Sequence, residues 1–358
     1  MYKQLMKGNE AIAEGAIRAG CRFYAGYPIT PQSEILEYMS KHMPENGGIF
    51  MQGESEVASV SMLWGAAAAG VRGMTSSSGP GFSLKQEGIA YIASYEVPAV
   101  IVSVMRYGIG GGDITQGQDS YLQAVKGGGN GDYRLIVFSP NSVNECANLT
   151  YEAFDIAEKY KNPALILGDG AIGQMVEMCD LPQHKEHDIN KYSWSIKGRP
   201  AGEKKYKATN LNWYYGDREW EKMVRDKYRA IMDNEQRWEN YCIEDAEMIL
   251  VAYGISSRVC IDAVNMARGK GVKLGLIRPI TLWPYPRNAF YDLPATLKGF
   301  MVVEMSITAQ MKEDVILASK AKYPVFDYCT AIDIPIAENI VSACEDALEG
   351  RLAEREEL

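Results

Sequence analysis

The heptapeptide Ala99-Val100-Ile101-Val102-Ser103-Val104-Met105 constrains this chain more than any other feature. It is apolar at nearly every residue and lacks the alternation of a half-solvated strand. A run of this kind reads as a parallel strand covered on both faces. Five more short apolar or β-branched runs lie near 22–26, 49–52, 71–75, 135–139 and 163–167. Between them the spacing turns helical, over 10–19, 31–42, 55–70, 82–94 and 143–159. Alternation of the two periods predicts an α/β layer fold with a parallel sheet of about six strands.

A length of 358 residues accommodates about two domains. The first α/β pattern fills residues 1–180. Residues 181–245 form a connector, polar at first and then dense in both charge signs. Glu219, Glu221, Lys222, Arg225, Asp226, Lys227 and Arg229 suit an exposed, salt-bridged helix. A second α/β pattern fills 246–358, with strands near 248–254, 272–277, 300–303 and 324–328 and helices near 257–268, 308–320 and 336–349.

With 37 basic against 46 acidic residues the net charge is -9, which argues against a nucleic-acid partner. No apolar run reaches the roughly 18–20 residues needed to cross a bilayer. The start lacks the apolar core of a signal peptide, so a soluble, cytoplasmic chain is expected. Cys21, Cys146, Cys179, Cys242, Cys260, Cys329 and Cys344 are scattered and include no C-x-x-C. They suit reduced thiols used as small core residues, so any iron–sulfur cluster or zinc would be carried by another chain.

In a parallel sheet ligands bind beyond the carboxyl ends of the strands. After the first strand stands Tyr27-Pro28-Ile29-Thr30-Pro31, where Thr30 suits an N-cap and Pro31 a first helical residue. The turn is either a plain helix start or a place where N–H groups and a hydroxyl hold an anion. After the second strand come Glu54-Ser55-Glu56-Val57. The two glutamates are about 200° apart on a helix. Glu54 heads Ala58, Ser61 and Gly65; Glu56 heads the apolar stripe Val60, Leu63, Trp64 and Ala67. Glu56 is therefore either an acid favouring a helix N-terminus or a desolvated carboxyl with a raised pKa.

After the third strand, Ser76-Ser77-Ser78-Gly79-Pro80-Gly81 permits close backbone approach. After the fourth, Arg106 is either a carboxylate-binding cation or a surface arginine paired with a loop acid. Thr30, Glu56 and Arg106 are expected to meet at one sheet edge. Three other patterns carry less. Gly108-Ile109-Gly110 lacks the acid of a dinucleotide site. Gly168-Asp169-Gly170 opens like a Mg-diphosphate motif but has no Asn-Asn pair after it. Cys179, His184 and His187 fit no zinc signature.

Taken together, Tyr27–Pro31, Glu54–Ala58 and Thr75–Gly81, with Lys126–Tyr133 and Arg278–Pro284, resemble the α subunit of 2-oxoacid:ferredoxin oxidoreductases over almost the whole chain. The similarity is strongest to members acting on 3-methyl-2-oxobutanoate. It implies a pyrimidine-type thiamine-diphosphate domain over 1–180 and a transketolase-C-terminal-like domain over 246–358. It further implies that Glu56 is the catalytic carboxyl at N1′ of the aminopyrimidine. Tyr27 and Pro28 would touch the coenzyme, and Thr30 and Arg106 the 2-oxoacid carboxylate.

A separate β chain would hold the diphosphate through Mg²⁺, with no metal site on this chain. Iron–sulfur clusters would sit on partner chains, including γ and ferredoxin-like subunits. The implied reaction is oxidative decarboxylation with coenzyme A as acyl acceptor and ferredoxin as electron acceptor. The residues leave 2-oxoglutarate, pyruvate and aryl pyruvates open as substrates. A non-catalytic scaffold and an NAD-linked enzyme using the Gly108 loop are the rival readings.

Overall fold

The computed structural model describes residues 2–192, 194–196 and 216–352. Its first half runs β1 (Tyr2–Lys7), α1 (Gly8–Arg18), β2 (Phe23–Gly26), α2 (Ser33–Glu45), β3 (Ile49–Gln52), α3 (Glu56–Ala68), β4 (Gly73–Ser77), α4 (Gly79–Ser94), β5 (Val100–Met105), α5 (Tyr121–Val125), β6 (Ile136–Phe138), α6 (Val143–Tyr160), β7 (Ala164–Asp169), α7 (Gly170–Gln174) and β8 (Val176–Leu181). The six apolar runs become β2 to β7, all parallel, in the order β6-β7-β5-β4-β2-β3. All six residues of β5 are buried, as a strand covered on both faces requires.

From β2 the chain first adds β3 on one side, then returns to add β4 on the other. That reversal opens a crevice beyond the carboxyl ends of β2 and β4, where the segments after both strands face each other.

The second half runs α8 (Asp217–Asn234), β9 (Trp238–Tyr241), β10 (Met248–Val251), α9 (Gly254–Gly269), β11 (Leu274–Pro279), β12 (Thr281–Trp283), β13 (Gly299–Glu304), α10 (Lys312–Ala318), β14 (Val325–Cys329) and α11 (Ala337–Leu348). Its sheet has the order β14-β13-β10-β11-β9, parallel except for β9. Between the two sheets lies one shared apolar layer. Val60, Leu63, Phe82, Ile101 and Leu165 continue into Ile249, Val251, Phe300 and Val302. The outer faces are closed by α1, α2 and α6 on the first sheet and by α9 and α11 on the second.

Three pairings have no counterpart in the apolar runs. β9, within the charged connector, pairs antiparallel with β11. β1 pairs antiparallel with β8, and β12 crosses from the second half to pair antiparallel with β6. The helix after β2 also begins later than the Thr30-Pro31 pair predicts. Gln32 N donates to Ile29 O (3.2 Å), closing a turn, and the Pro31 carbonyl is drawn to Asn9 Nδ2 (2.8 Å). Thr30 is therefore not the N-cap and Pro31 is not the first helical residue; Gln32 precedes α2 instead.

Helix α8 carries the expected ion pairs, Lys222 with Asp226 at 3.0 Å and Arg225 with Glu221. Its inner side is nonetheless packed. Ile231 is buried, the Tyr228 hydroxyl accepts Arg134 N (3.0 Å), and Lys227 pairs with Glu96 (3.2 Å). Residues 197–215 of the connector lie outside the described residues. No helix among the described residues is long and apolar enough to cross a membrane.

Candidate functional site

Helix α3 starts where the Ser55 hydroxyl accepts Ala58 N at 3.1 Å. That cap fixes the first turn with Glu56 as its first residue and leaves Glu54 before the helix, not on it as the spacing predicts. Glu54 is exposed, whereas Glu56 is 6% exposed above the buried Val60, Leu63 and Ala67. Its carboxyl lies against the first turn of α4. A Cβ on Gly81 would stand 2.5 Å from Glu56 Oε1 and 2.4 Å from Ser77 Oγ. Only glycine permits that approach. Gly79, at φ +44°, is likewise pressed on Arg106, whose Nε would be 2.9 Å from an added Cβ. The Ser77–Gly81 turn thus lies between the carboxyl and the guanidinium.

Arg106 does not pair with a loop acid. Nη1 donates to the Thr30 carbonyl (2.9 Å) and Nη2 to the Gly111 carbonyl (2.7 Å). The structure therefore brings Thr30 and Arg106 into direct contact. Pro28 and Thr30 are exposed and Tyr27 is half-buried, its carbonyl accepting Gln32 Nε2 at 3.2 Å. Arg106 Nε, Ser77 Oγ and Ser78 Oγ are buried without a partner among the described residues. Buried polar groups of this kind are costly when nothing meets them.

Sequence reasoning missed Lys85. The side chain is fully buried on α4, with Nζ donating to Thr75 Oγ1 at 2.8 Å. Thr75 Oγ1 in turn donates to the Ala25 carbonyl at 2.6 Å. Burial pulls the Lys85 amine down to about 7, and the charge of Glu56 partly opposes that pull. The signal was present: 82, 85, 86, 89, 92 and 93 form one helical stripe, and a lysine within it has to be enclosed. Also missed was the buried chain from Tyr24 OH through Ser76 Oγ to Gln32 Oε1, each step 2.5 Å, which ties the Thr30 turn to β4.

The other patterns have structural uses. Asp169 is buried, and its carboxylate caps two helices, accepting Ile172 N (2.9 Å) and Ile255 N (2.8 Å). His187 Nε2 lies 2.8 Å from the Gly70 carbonyl, His184 is exposed, and Cys179 is buried on β8. The Gly108 loop is closed by Tyr107 N to Thr115 O (2.9 Å) and leads into no helix that could receive a diphosphate. Among the described residues no group of three or more His, Cys, Asp or Glu side chains is placed to hold a metal ion.

Residues 14–234 match the family described as pyruvate flavodoxin/ferredoxin oxidoreductase, thiamine diphosphate binding; residues 246–333 match core domain II of pyruvate:ferredoxin oxidoreductase. The ketoisovalerate oxidoreductase subunit VorB of Methanothermobacter marburgensis is 49% identical over 319 residues, 89% of this chain and 90% of its own length. The 2-oxoglutarate synthase subunit KorA of Archaeoglobus fulgidus is 36% identical over 324 residues, covering 87% and 91%.

Among solved structures, 2-oxoglutarate:ferredoxin oxidoreductase from Magnetococcus marinus, with 2-oxoglutarate, coenzyme A and succinyl-CoA bound, superposes with a TM-score of 0.84 at 25% identity. The match covers 97% of this chain but only 65% of that one. An inactive β4 tetramer of a split-gene transketolase shares the fold at a TM-score of 0.60 and 15% identity, covering 97% and 99%.

Proposed function

The chain belongs to the 2-oxoacid:ferredoxin oxidoreductase family, and on that premise we propose that it supplies the pyrimidine side of a thiamine-diphosphate site completed by a partner subunit. The enzyme so formed oxidatively decarboxylates a 2-oxoacid to CO2 and an acyl-CoA while reducing ferredoxin. The substrate is 3-methyl-2-oxobutanoate, a choice supported by the VorB relative at 49% identity. One observation carries the reading. A nearly buried carboxyl, Glu56, stands at the crevice against a glycine, beside the unpaired donors of Arg106, Ser77 and Ser78.

These residues fit the aminopyrimidine half of the coenzyme: a carboxyl to meet a ring nitrogen, and a glycine cradle that any side chain would fill. Thiamine diphosphate, when bound, supplies the electron sink that decarboxylation of a 2-oxoacid needs. Glu56 would hold the proton at N1′ of the ring, and Tyr27 and Pro28, in the turn after β2, would border the ring. Arg106 spends one N–H of each Nη on a carbonyl, which leaves the second N–H of each Nη, besides Nε, for the substrate carboxylate. The Thr30 hydroxyl is the second donor to that carboxylate. Closure of the partner over this crevice excludes water from the reacting carbon.

The division of labour follows the donor sets. Residues 1–180 are the pyrimidine-type domain, 181–245 the connector and 246–358 the transketolase-C-terminal-like domain. A β chain holds the diphosphate through Mg²⁺, and iron–sulfur clusters reside on partner, γ or ferredoxin-like chains in a cytoplasmic complex. The test is co-purification with those partners, followed by a 2-oxoacid panel with ferredoxin reduction as readout. Branched-chain oxoacids are expected to lead the panel, and this chain alone is expected to be inert. The KorA relatives support 2-oxoglutarate as the second substrate reading, and the same panel separates it. Full activity of the single chain, or no gain in coenzyme binding when it joins its partners, would sink the proposal.

A further inference from the structure

We propose that Lys85 is a positioning residue for Glu56, its amine setting the charge state of the carboxyl that faces the crevice. The inference rests on the reading of Glu56 as the group at N1′. Gly81 and Lys85 are one turn apart on the same face of α4, and Gly81 is the residue pressed on Glu56 Oε1. The amine sits on Thr75, and the carboxyl shares the Gly81 contact with Ser77, two residues along the same face of β4, so the two groups lie on one buried side of that strand.

Its hydrogen bonding has a fixed direction. Thr75 gives its own proton to the Ala25 carbonyl, so its oxygen can only accept from Lys85. No carboxylate forms an ion pair with Nζ among the described residues, and the one charge acting on it is that of Glu56. Other charged groups nearby are turned elsewhere. Glu54 and Glu87 are exposed, and Arg106 is held on the Thr30 and Gly111 carbonyls.

An enclosed amine with a single hydroxyl partner costs stability that an apolar side chain of similar volume would not. What it supplies is a positive charge behind Glu56. A positive charge behind the carboxyl would favour its ionised form, so that the one proton shared with N1′ would rest on the ring nitrogen. Burial draws the amine down to about 7, so the charge it supplies is lost as pH rises through neutrality.

Infrared titration of the carboxyls in the full chain, with Glu56→Gln as the difference reference, reads the ionisation midpoint of Glu56. Lys85→Met is expected to raise that midpoint by roughly one to three pH units. Thr75→Val, which removes the acceptor that steadies the ammonium, is expected to raise it by less and carries the test if Lys85→Met does not fold. In the assembled enzyme the acid limb of kcat moves up in parallel while KM for the oxoacid holds.

Midpoints that do not move in either variant overturn the role of Lys85, even where Glu56→Gln abolishes turnover. Full turnover in Glu56→Gln instead removes the N1′ reading itself. The two failures are distinct.

Discussion

Glu56→Gln keeps the size of the side chain and removes its charge and its capacity to exchange a proton. In the assembled enzyme kcat is expected to fall by roughly 100-fold or more, with subunit assembly unchanged by gel filtration. Arg106→Ala removes the donor left free beside Gly79. KM for the oxoacid is expected to rise about 10- to 100-fold, the equivalent of one charge-assisted pair; an unaltered KM would make Arg106 purely structural. Lys85 has a stability signature of its own. Its amine titrates near 7 when folded and in the ordinary lysine range when unfolded. Between those values the unfolded chain binds the extra proton, so wild-type stability rises with pH. Denaturant melts of wild type against Lys85→Met at pH 7 and pH 10 are expected to converge as pH rises.

At the scale of elements, the carboxyl is only as well placed as the helix end that carries it. Ser55→Ala deletes the cap on α3 and is expected to cost about 1 kcal/mol in denaturant melts. Turnover should fall more than that loss alone explains, because the frayed turn also releases Glu56. Legibility in the sequence varied element by element for physical reasons. β5 was plain because an unbroken apolar run has few other uses, whereas Glu54 lies before the Ser55 cap, outside α3, so the helical angle between the two glutamates does not apply. The start of α2 was misread because Thr-Pro is an excellent cap locally. The side-chain amides of the distant Asn9 and Gln174 donate to the Pro31 carbonyl and moved the boundary. β12 was missed because three residues carry no period, and its partner strand is far away in the chain.

Across the whole molecule, the two sheets are joined by buried polar groups as well as by their shared apolar layer. The buried Arg278 reaches Glu145 of α6, the half-buried Lys126 pairs with Asp314 at 2.7 Å, and the buried Gln118 bridges Tyr253 and Met305. Within this joint Glu304 is fully buried, and desolvation pushes its carboxyl up to about 7 against hydrogen bonds from Met311 N and Tyr253 OH. Between the ordinary glutamate range and 7 the folded chain holds a proton that the unfolded chain releases, so stability falls as pH rises through that window. Glu304→Gln is expected to gain up to about 3 kcal/mol over wild type at pH 8 and little at pH 4, read by denaturant melts. The amino-acid sequence by itself determined the α/β class, the six parallel strands and the candidates Thr30, Glu56 and Arg106, because periodicity and strand ends are local properties. Only the tertiary structure decided that Arg106 grips carbonyls, that Gly81 admits the carboxyl and that Lys85 is sealed behind it. Those facts depend on which distant atoms arrive within a few ångströms, and no spacing along the chain encodes that.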